Sequence, residues 1–272
     1  MKKIIFSLVV VMAVLLLNIQ MASAIGVKIV TNDMYADGTL YSFSPLGTVV
    51  AAPDGTEDSW AVARISEIKL DLDGDDVYET FYFDKDTATY ELTVYAYGFD
   101  DALVTNTQAG PAVIQSIQTI GGNLAIYQDF SKDFDPAAIG VAGAGAVGAD
   151  LSGYGVTDGS LWLSLTGHAV GGYTLTEYLN NQSTGYTGAM FMDVLGGTMA
   201  DQFNNNMQPY GSDVEYSFSA IVMANADGRV GGNWDAFDDG TAITEMVPEP
   251  TAMLLLGLGL VGLAGLRRKV KA

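Results

Sequence analysis

The chain has 272 residues, with 32 acidic and 12 basic side chains, a formal net charge of −20, one histidine and no cysteine. This balance argues against nucleic acid or anionic lipid surfaces as partners, since binding them needs Lys and Arg to displace counterions. The missing cysteines exclude thiol nucleophiles, thiolate zinc sites and disulfide staples, and a single histidine leaves few triad or metalloenzyme chemistries open.

The first 24 residues have the three parts of a signal peptide. Met1-Lys2-Lys3 is basic, Ile4 to Leu17 is apolar, and Ala22-Ser23-Ala24 supplies a small-x-small cleavage site. Cleavage after Ala24 makes Ile25 the first mature residue. An uncleaved anchor is the alternative, but a stretch of fourteen residues is short for a span.

Between residues 25 and 247 lie only six of the basic residues but all except one of the acidic ones, for a net charge of −25. So large an excess favours divalent cations or basic surfaces as partners. The apolar pattern there is strand-like. Segments 60–70, 77–83 and 90–97 are rich in β-branched and aromatic residues, and similar ones recur at 112–120, 123–130, 160–165, 172–178, 187–194 and 214–223. Gly, Asn and Asp separate them at turn-like intervals. The fold expected is all-β, an antiparallel β-sandwich or an irregular barrel. The only helix candidate is 199–206. Residues 137–149 form a small-residue tract that reads as a loop or junction, and 225–247 read as a Gly/Asp-rich stalk after a β-rich domain at 25–224.

The best chemical motif is Asp71-Leu-Asp73-Gly-Asp75-Asp76-Val77-Tyr-Glu79. Alternate carboxylates across a tight turn can converge on Ca²⁺, with the Val77 carbonyl and Glu79 completing the shell. The motif resembles the Asp-x-Asp-Gly-Asp-Gly-x-x-Asp calcium loop of exported β proteins, with Asp76 in place of glycine and Glu79 in place of the final Asp. An EF-hand is excluded, because its sixth and twelfth positions would be Asp76 and Tyr82. The competing reading is a metal-free acidic hairpin turn at Asp73-Gly74.

Other candidates read as structure. His168 has no carboxylate or serine partner that spacing can supply. Asp100-Asp101 and Asp238-Asp239 sit on adjacent positions, which point to opposite faces of a strand, so they read as solvated turns rather than a hydrolase pair. Tyr78, Tyr82, Tyr90, Tyr95 and Tyr97 read as cross-strand packing, with stacking on a matrix polysaccharide as the alternative. No catalytic constellation is recognisable.

The C-terminus is the most specific region. Pro248-Glu249-Pro250 leads into an uncharged run, Thr251 to Leu266, closed by Arg267-Arg268-Lys269 and Lys271. Sixteen helical residues cover about 24 Å, and snorkelling of Arg267 and Arg268 can extend that to a membrane span with the basic end in the cytoplasm. Tripeptide, apolar helix and basic end together resemble the PEP-CTERM sorting signal of exported proteins in Gram-negative, matrix-forming bacteria. The resemblance covers residues 248–272 and implies recognition and cleavage near Pro-Glu-Pro by a membrane cysteine enzyme, exosortase. It brings no chemistry for the rest of the chain. The expectation is an exported, non-enzymatic surface or matrix protein, with a polysaccharide-binding or polysaccharide-active domain as the alternative.

Overall fold

The computed structural model describes residues 24–38, 46–49, 54–139, 149–181, 185–222, 234 and 236–247. The leader up to Ser23, most of the small-residue tract, and everything from Pro248 onward, Arg267 and Arg268 included, lie outside these residues. Among the described residues no helix is long and apolar enough to cross a membrane, and the expected helix 251–266 is not among them.

The described strands are β1 (Ile25–Gly38), β2 (Gly47–Val49), β3 (Ser59–Asp71), β4 (Thr80–Asp84), β5 (Glu91–Ala109), β6 (Ala112–Asp129), β7 (Ser160–His168), β8 (Leu175–Asn180), β9 (Gly185–Gly196), β10 (Val214–Val222) and β11 (Ala236–Met246). All pairings between them are antiparallel. Following the ladders, β1 pairs β3, β3 pairs β5, β5 pairs β6, β6 pairs β7, β7 pairs β9, β9 pairs β10, β10 pairs β11, and β11 returns to β1. The sheet therefore closes on itself as an eight-stranded up-and-down barrel. Of the two architectures expected, this is the barrel and not the sandwich.

The short strands lengthen the ring rather than widen it. β7 and β8 both pair with β6 and β9, at different heights, so they share one place. β4 and β5 likewise share the place beside β3, and β2 and β3 the place beside β5. Closure leaves the central strands no open edge, which disposes of the usual aggregation hazard of long β-strands.

Period-two alternation decides which side chains fill the interior. Val27, Ile29, Ala63, Ile65, Leu92, Val94, Ile126, Leu163, Leu165, Met190, Met192, Val214 and Ala242 are buried in one cluster drawn from every strand of the ring. An apolar interior is the reverse of a membrane-spanning barrel, whose lumen is polar and whose outside is apolar. At the barrel axis a cavity of about 30 Å³ is lined by Ile29, Ile65, Val94, Leu124, Leu165 and Met192 among others, with a lining from all eight strands. That is room for about one water molecule. The barrel is a packed core.

Several expectations need correction. Residues 236–246 are not a stalk. They are β11, hydrogen-bonded on one side to β1 and on the other to β10, from Ile25↔Met246 and Val214↔Thr244 onward. Asp238-Asp239, expected in a solvated turn, lie inside β11, and Gly240 after them faces inward, where a Cβ would collide with the Tyr216 hydroxyl and with Thr31. That hydroxyl is held by Thr31 Oγ1 at 3.2 Å and by the Met34 sulfur at 3.4 Å. Segments 112–120 and 123–130 are one strand. Gly121 and Gly122 take φ of 73° and 85° opposite Gly98 at 76°, which kinks β5 and β6 together without breaking their ladder. Asp100 and Asp101 lie inside β5, both buried, and not in a solvated turn.

The helix expected at 199–206 shrinks to a single turn, Ala200–Phe203, with Phe203 against Trp162. The loop carrying it is anchored by Asp213, which is 1% exposed. Its carboxylate accepts N–H bonds from Val194 at 2.7 Å and from Asn205 and Asn206 at 2.6 Å.

A second buried cluster lies on the outer wall. Val62 and Tyr95, opposite each other on β3 and β5, are covered by Ile139, Leu151, Val156 and Trp234. Trp60 packs on Trp234 with ring centroids 4.9 Å apart, and the Trp234 indole donates to the Pro136 carbonyl at 3.0 Å. Thr93 Oγ1 also donates outward, to the Val156 carbonyl at 2.7 Å. The described parts of the β6–β7 connection thus roof the β3–β5 wall, which is why β5 is buried on both faces.

Candidate functional site

The acidic motif forms the connection from β3 to β4. Carboxylate oxygens of Asp71, Asp73 and Asp75 come within 4.8 Å of one another, a spacing that a single cation can bridge. Val77 and Glu79 are exposed and Glu79 is not part of that group. Three of the five expected ligands are therefore together in this structure.

The turn is built from its own side chains. Asp71, buried at the strand end, accepts the Gly74 N–H at 2.8 Å and the Asp76 N–H at 2.9 Å, while Asp75 accepts from Val77 at 2.9 Å. Gly74 and Asp76 adopt φ of 76° and 64°. Asp76 thus takes the left-handed conformation that the resembling loops assign to glycine, which aspartate tolerates better than most residues. Burial alone would raise the Asp71 carboxyl, but the converging N–H groups of Gly74, Asp76, Asp75 and Asp73 outweigh it and hold it below the ordinary carboxylate range. Asp73 is pushed up, first by the charge of Asp75 and then by burial and Asp71. A cation held between them would offset the repulsion of Asp73 by Asp75.

A second pair of acids was not legible as a pair. Register places Asp101 of β5 opposite Thr119 of β6, and Glu177 of β8 opposite Ile117 of β6. Both acids share the inward face at one end of the barrel with Asn106 and Gln115, whose side chains are joined at 2.9 Å. Burial, and after it the charge of Asp101, pushes the Glu177 carboxyl up to about 8. The available signal was Leu175-x-Glu177-x-Leu179, where period two puts a carboxylate on the same face as two leucines.

His168 does have a carboxylate partner. Its Nδ1 is 2.9 Å from both Asp193 oxygens, across the β7–β9 ladder. The pair lies on the outer face, since the inward positions there are Leu165 and Met192. The five tyrosines divide, with Tyr78 half-buried beside Gly26. Tyr95 is buried against Trp60 and Tyr97, Tyr90 packs between Phe83 and Phe130, and Tyr82 is exposed beside the exposed Phe81.

The sorting residues Pro248, Glu249, Pro250, Arg267 and Arg268 are outside the described residues, but the fold delivers the chain to them. β11 ends at Met246, and the next residue, Val247, donates its N–H to the Gln202 carbonyl at 2.8 Å. Comparison with known families matches residues 247–269 to the PEP-CTERM protein-sorting motif. The motif implies processing by an exosortase-type membrane enzyme and export through the membrane to the cell surface or extracellular space. No curated protein and no solved structure matches the chain.

Proposed function

We propose that the chain is an exported, non-enzymatic β-barrel protein, delivered by its C-terminal signal to the cell surface or extracellular matrix. The observation that supports this most is the fit between fold and signals. Ile25, the first residue after the expected leader cleavage, pairs with Met246, and the sorting motif starts at residue 247. Both processing points then flank the same seam of the barrel, and removing both ends leaves every strand of the ring in place. Intact-mass measurement on protein secreted by the native host tests it. The expected species starts at Ile25 and lacks the 251–266 segment. Extracellular protein that still ends at Ala272 would overturn the sorting reading.

The cofactor that accompanies this reading is Ca²⁺ at Asp71, Asp73 and Asp75. Extracellular loops of this kind bind with Kd of about 10⁻⁴ to 10⁻³ M, so millimolar Ca²⁺ is expected to raise Tm by a few degrees and Mg²⁺ by less. The Asp73→Ala, Asp75→Ala double variant should lose the part of that response owed to this loop and keep its fold. An undiminished response would show that the stabilisation does not come from this loop.

A second reading, a polysaccharide-binding or polysaccharide-active domain, is favoured by Asp101 and Glu177. They are two acids on one inward face with one carboxyl raised, the asymmetry that glycoside hydrolysis uses. Soluble-sugar release from matrix polysaccharide, abolished by Glu177→Gln, would move the assignment to this reading.

A further inference from the structure

At the end of the barrel where β5 begins and β6 ends, Glu91 and Asp129 stand directly opposite each other. They are 1% and 8% exposed. Like charges in register on paired strands repel, and burial removes the water that would screen them. Asp133, four residues further along, brings a third carboxylate, and one oxygen from each of the three lies within 4.8 Å of the others. Asp158 is close enough for the charges of Asp129 and Asp133 to raise its carboxyl, after burial.

Among the described residues, the neutralisation of these carboxylates is incomplete. Arg64 faces Glu91, and one Glu91 oxygen accepts the Phe134 N–H at 3.0 Å. Lys132, adjacent in sequence to Asp133, turns away and donates to the Lys85 and Ala88 carbonyls at 3.2 and 2.9 Å. One Asp129 oxygen accepts from Ser131 at 3.2 Å, but Oδ2 is fully buried with no hydrogen-bond partner among the described residues. A buried carboxylate oxygen without a donor is costly. It is the observation that sets this cluster apart from an ordinary solvated group of acids.

We infer that Glu91, Asp129 and Asp133 form a divalent-cation site, taking Ca²⁺, that fastens the start of the β6–β7 connection to the barrel. The donors are all hard oxygens, and Ca–O distances of about 2.3–2.6 Å allow ligand oxygens up to about 5 Å apart across the ion. Asp129 Oδ2 supplies a ligand that has no other partner among the described residues, Glu91 stands opposite it on the paired strand, and the charge of Asp158 lies close to those of Asp129 and Asp133. Gly155 packs so tightly on Asp133 that a Cβ would meet its backbone and Oδ1 at 2.5 Å, which ties the far part of the same connection to the site. The ion would pin the roof that covers Val62, Tyr95 and Trp60, well separated in sequence from the Asp71 loop.

The test is calorimetric titration of the full chain in mild detergent with CaCl₂, on a background of Asp73→Ala and Asp75→Ala that disables the other loop. One saturable event is expected, with Kd of about 10⁻⁴ to 10⁻³ M and weaker binding of MgCl₂. Adding Asp129→Asn should weaken it at least tenfold. Adding the exposed Asp133→Asn instead, a change that burial does not threaten, should weaken it severalfold. Bound Ca²⁺ should also slow proteolysis within 130–158 on that background. Absence of a saturable event on the background, or unchanged affinity in both the Asp129→Asn and Asp133→Asn chains, overturns the site. Neither result touches the sorting assignment, which is read by mass.

Discussion

Replacing Asp213 with alanine is expected to lower Tm by about 10 °C, the largest effect of any single substitution considered. Asp213 is 1% exposed and its two oxygens accept three backbone N–H groups, from Val194, Asn205 and Asn206. Hydrogen bonds to a charged group each contribute about 1.5–3 kcal/mol, and a buried donor left unmatched costs about 1–3 kcal/mol. The three are not additive, since the loop can move to let water in, so a net loss of about 4 kcal/mol is reasonable. At about 2–4 °C per kcal/mol for a domain of this size, the Tm shift follows. Asp213→Asn keeps one acceptor oxygen and should fall between wild type and alanine. Thermal denaturation of the three chains side by side checks the order, and an alanine variant within 2 °C of wild type would show that the loop does not depend on this anchor.

Glu177→Gln is expected to stabilise the protein at alkaline pH and to change little at pH 4. The folded carboxyl titrates near 8 against an ordinary value of 4.5. Between those values the unfolded chain has released the proton and the folded chain still holds it, so stability falls as pH rises. The cost is absent below about 4.5 and fully present above about 8. Taken whole, the shift would correspond to at most about 5 kcal/mol. Glu177 keeps partial solvent contact, and screening brings the expectation to about 2–3 kcal/mol. Glutamine cannot ionise, so the variant should melt about 6 °C higher at pH 8.5 and within about a degree of wild type at pH 4. Melting curves across that range decide it. Equal pH profiles would mean that Glu177 titrates as an ordinary surface acid.

Strands were legible where both faces kept their period. Ser59–Asp71 and Val214–Val222 fall within a residue or so of the expected segments because alternation and β-branched composition agree there. Legibility failed where glycine had a packing role rather than a turn role. Gly121-Gly122 kinks a strand that continues, and Gly240 makes room for the Tyr216 ring, so both sites looked like interruptions. The Asp71 turn was visible as a run of acids in one segment. Glu91, Asp129 and Glu177 were not, because their neighbours come from other strands and only register brings them together.

The β1–β11 seam has a consequence for the order of assembly. Ile25 finds its partner in Met246, more than two hundred residues later, so this pairing carries the longest loop in the fold. Contacts of such separation form slowly, since chain entropy must be lost before they contribute. During export the ring can close only after its last strand has emerged, and until then β1 and β10 each present an unpaired edge to other chains. A cut made upstream of residue 236 would leave those edges open permanently. A cut at the motif, beyond Met246, falls where the chain has already sealed itself.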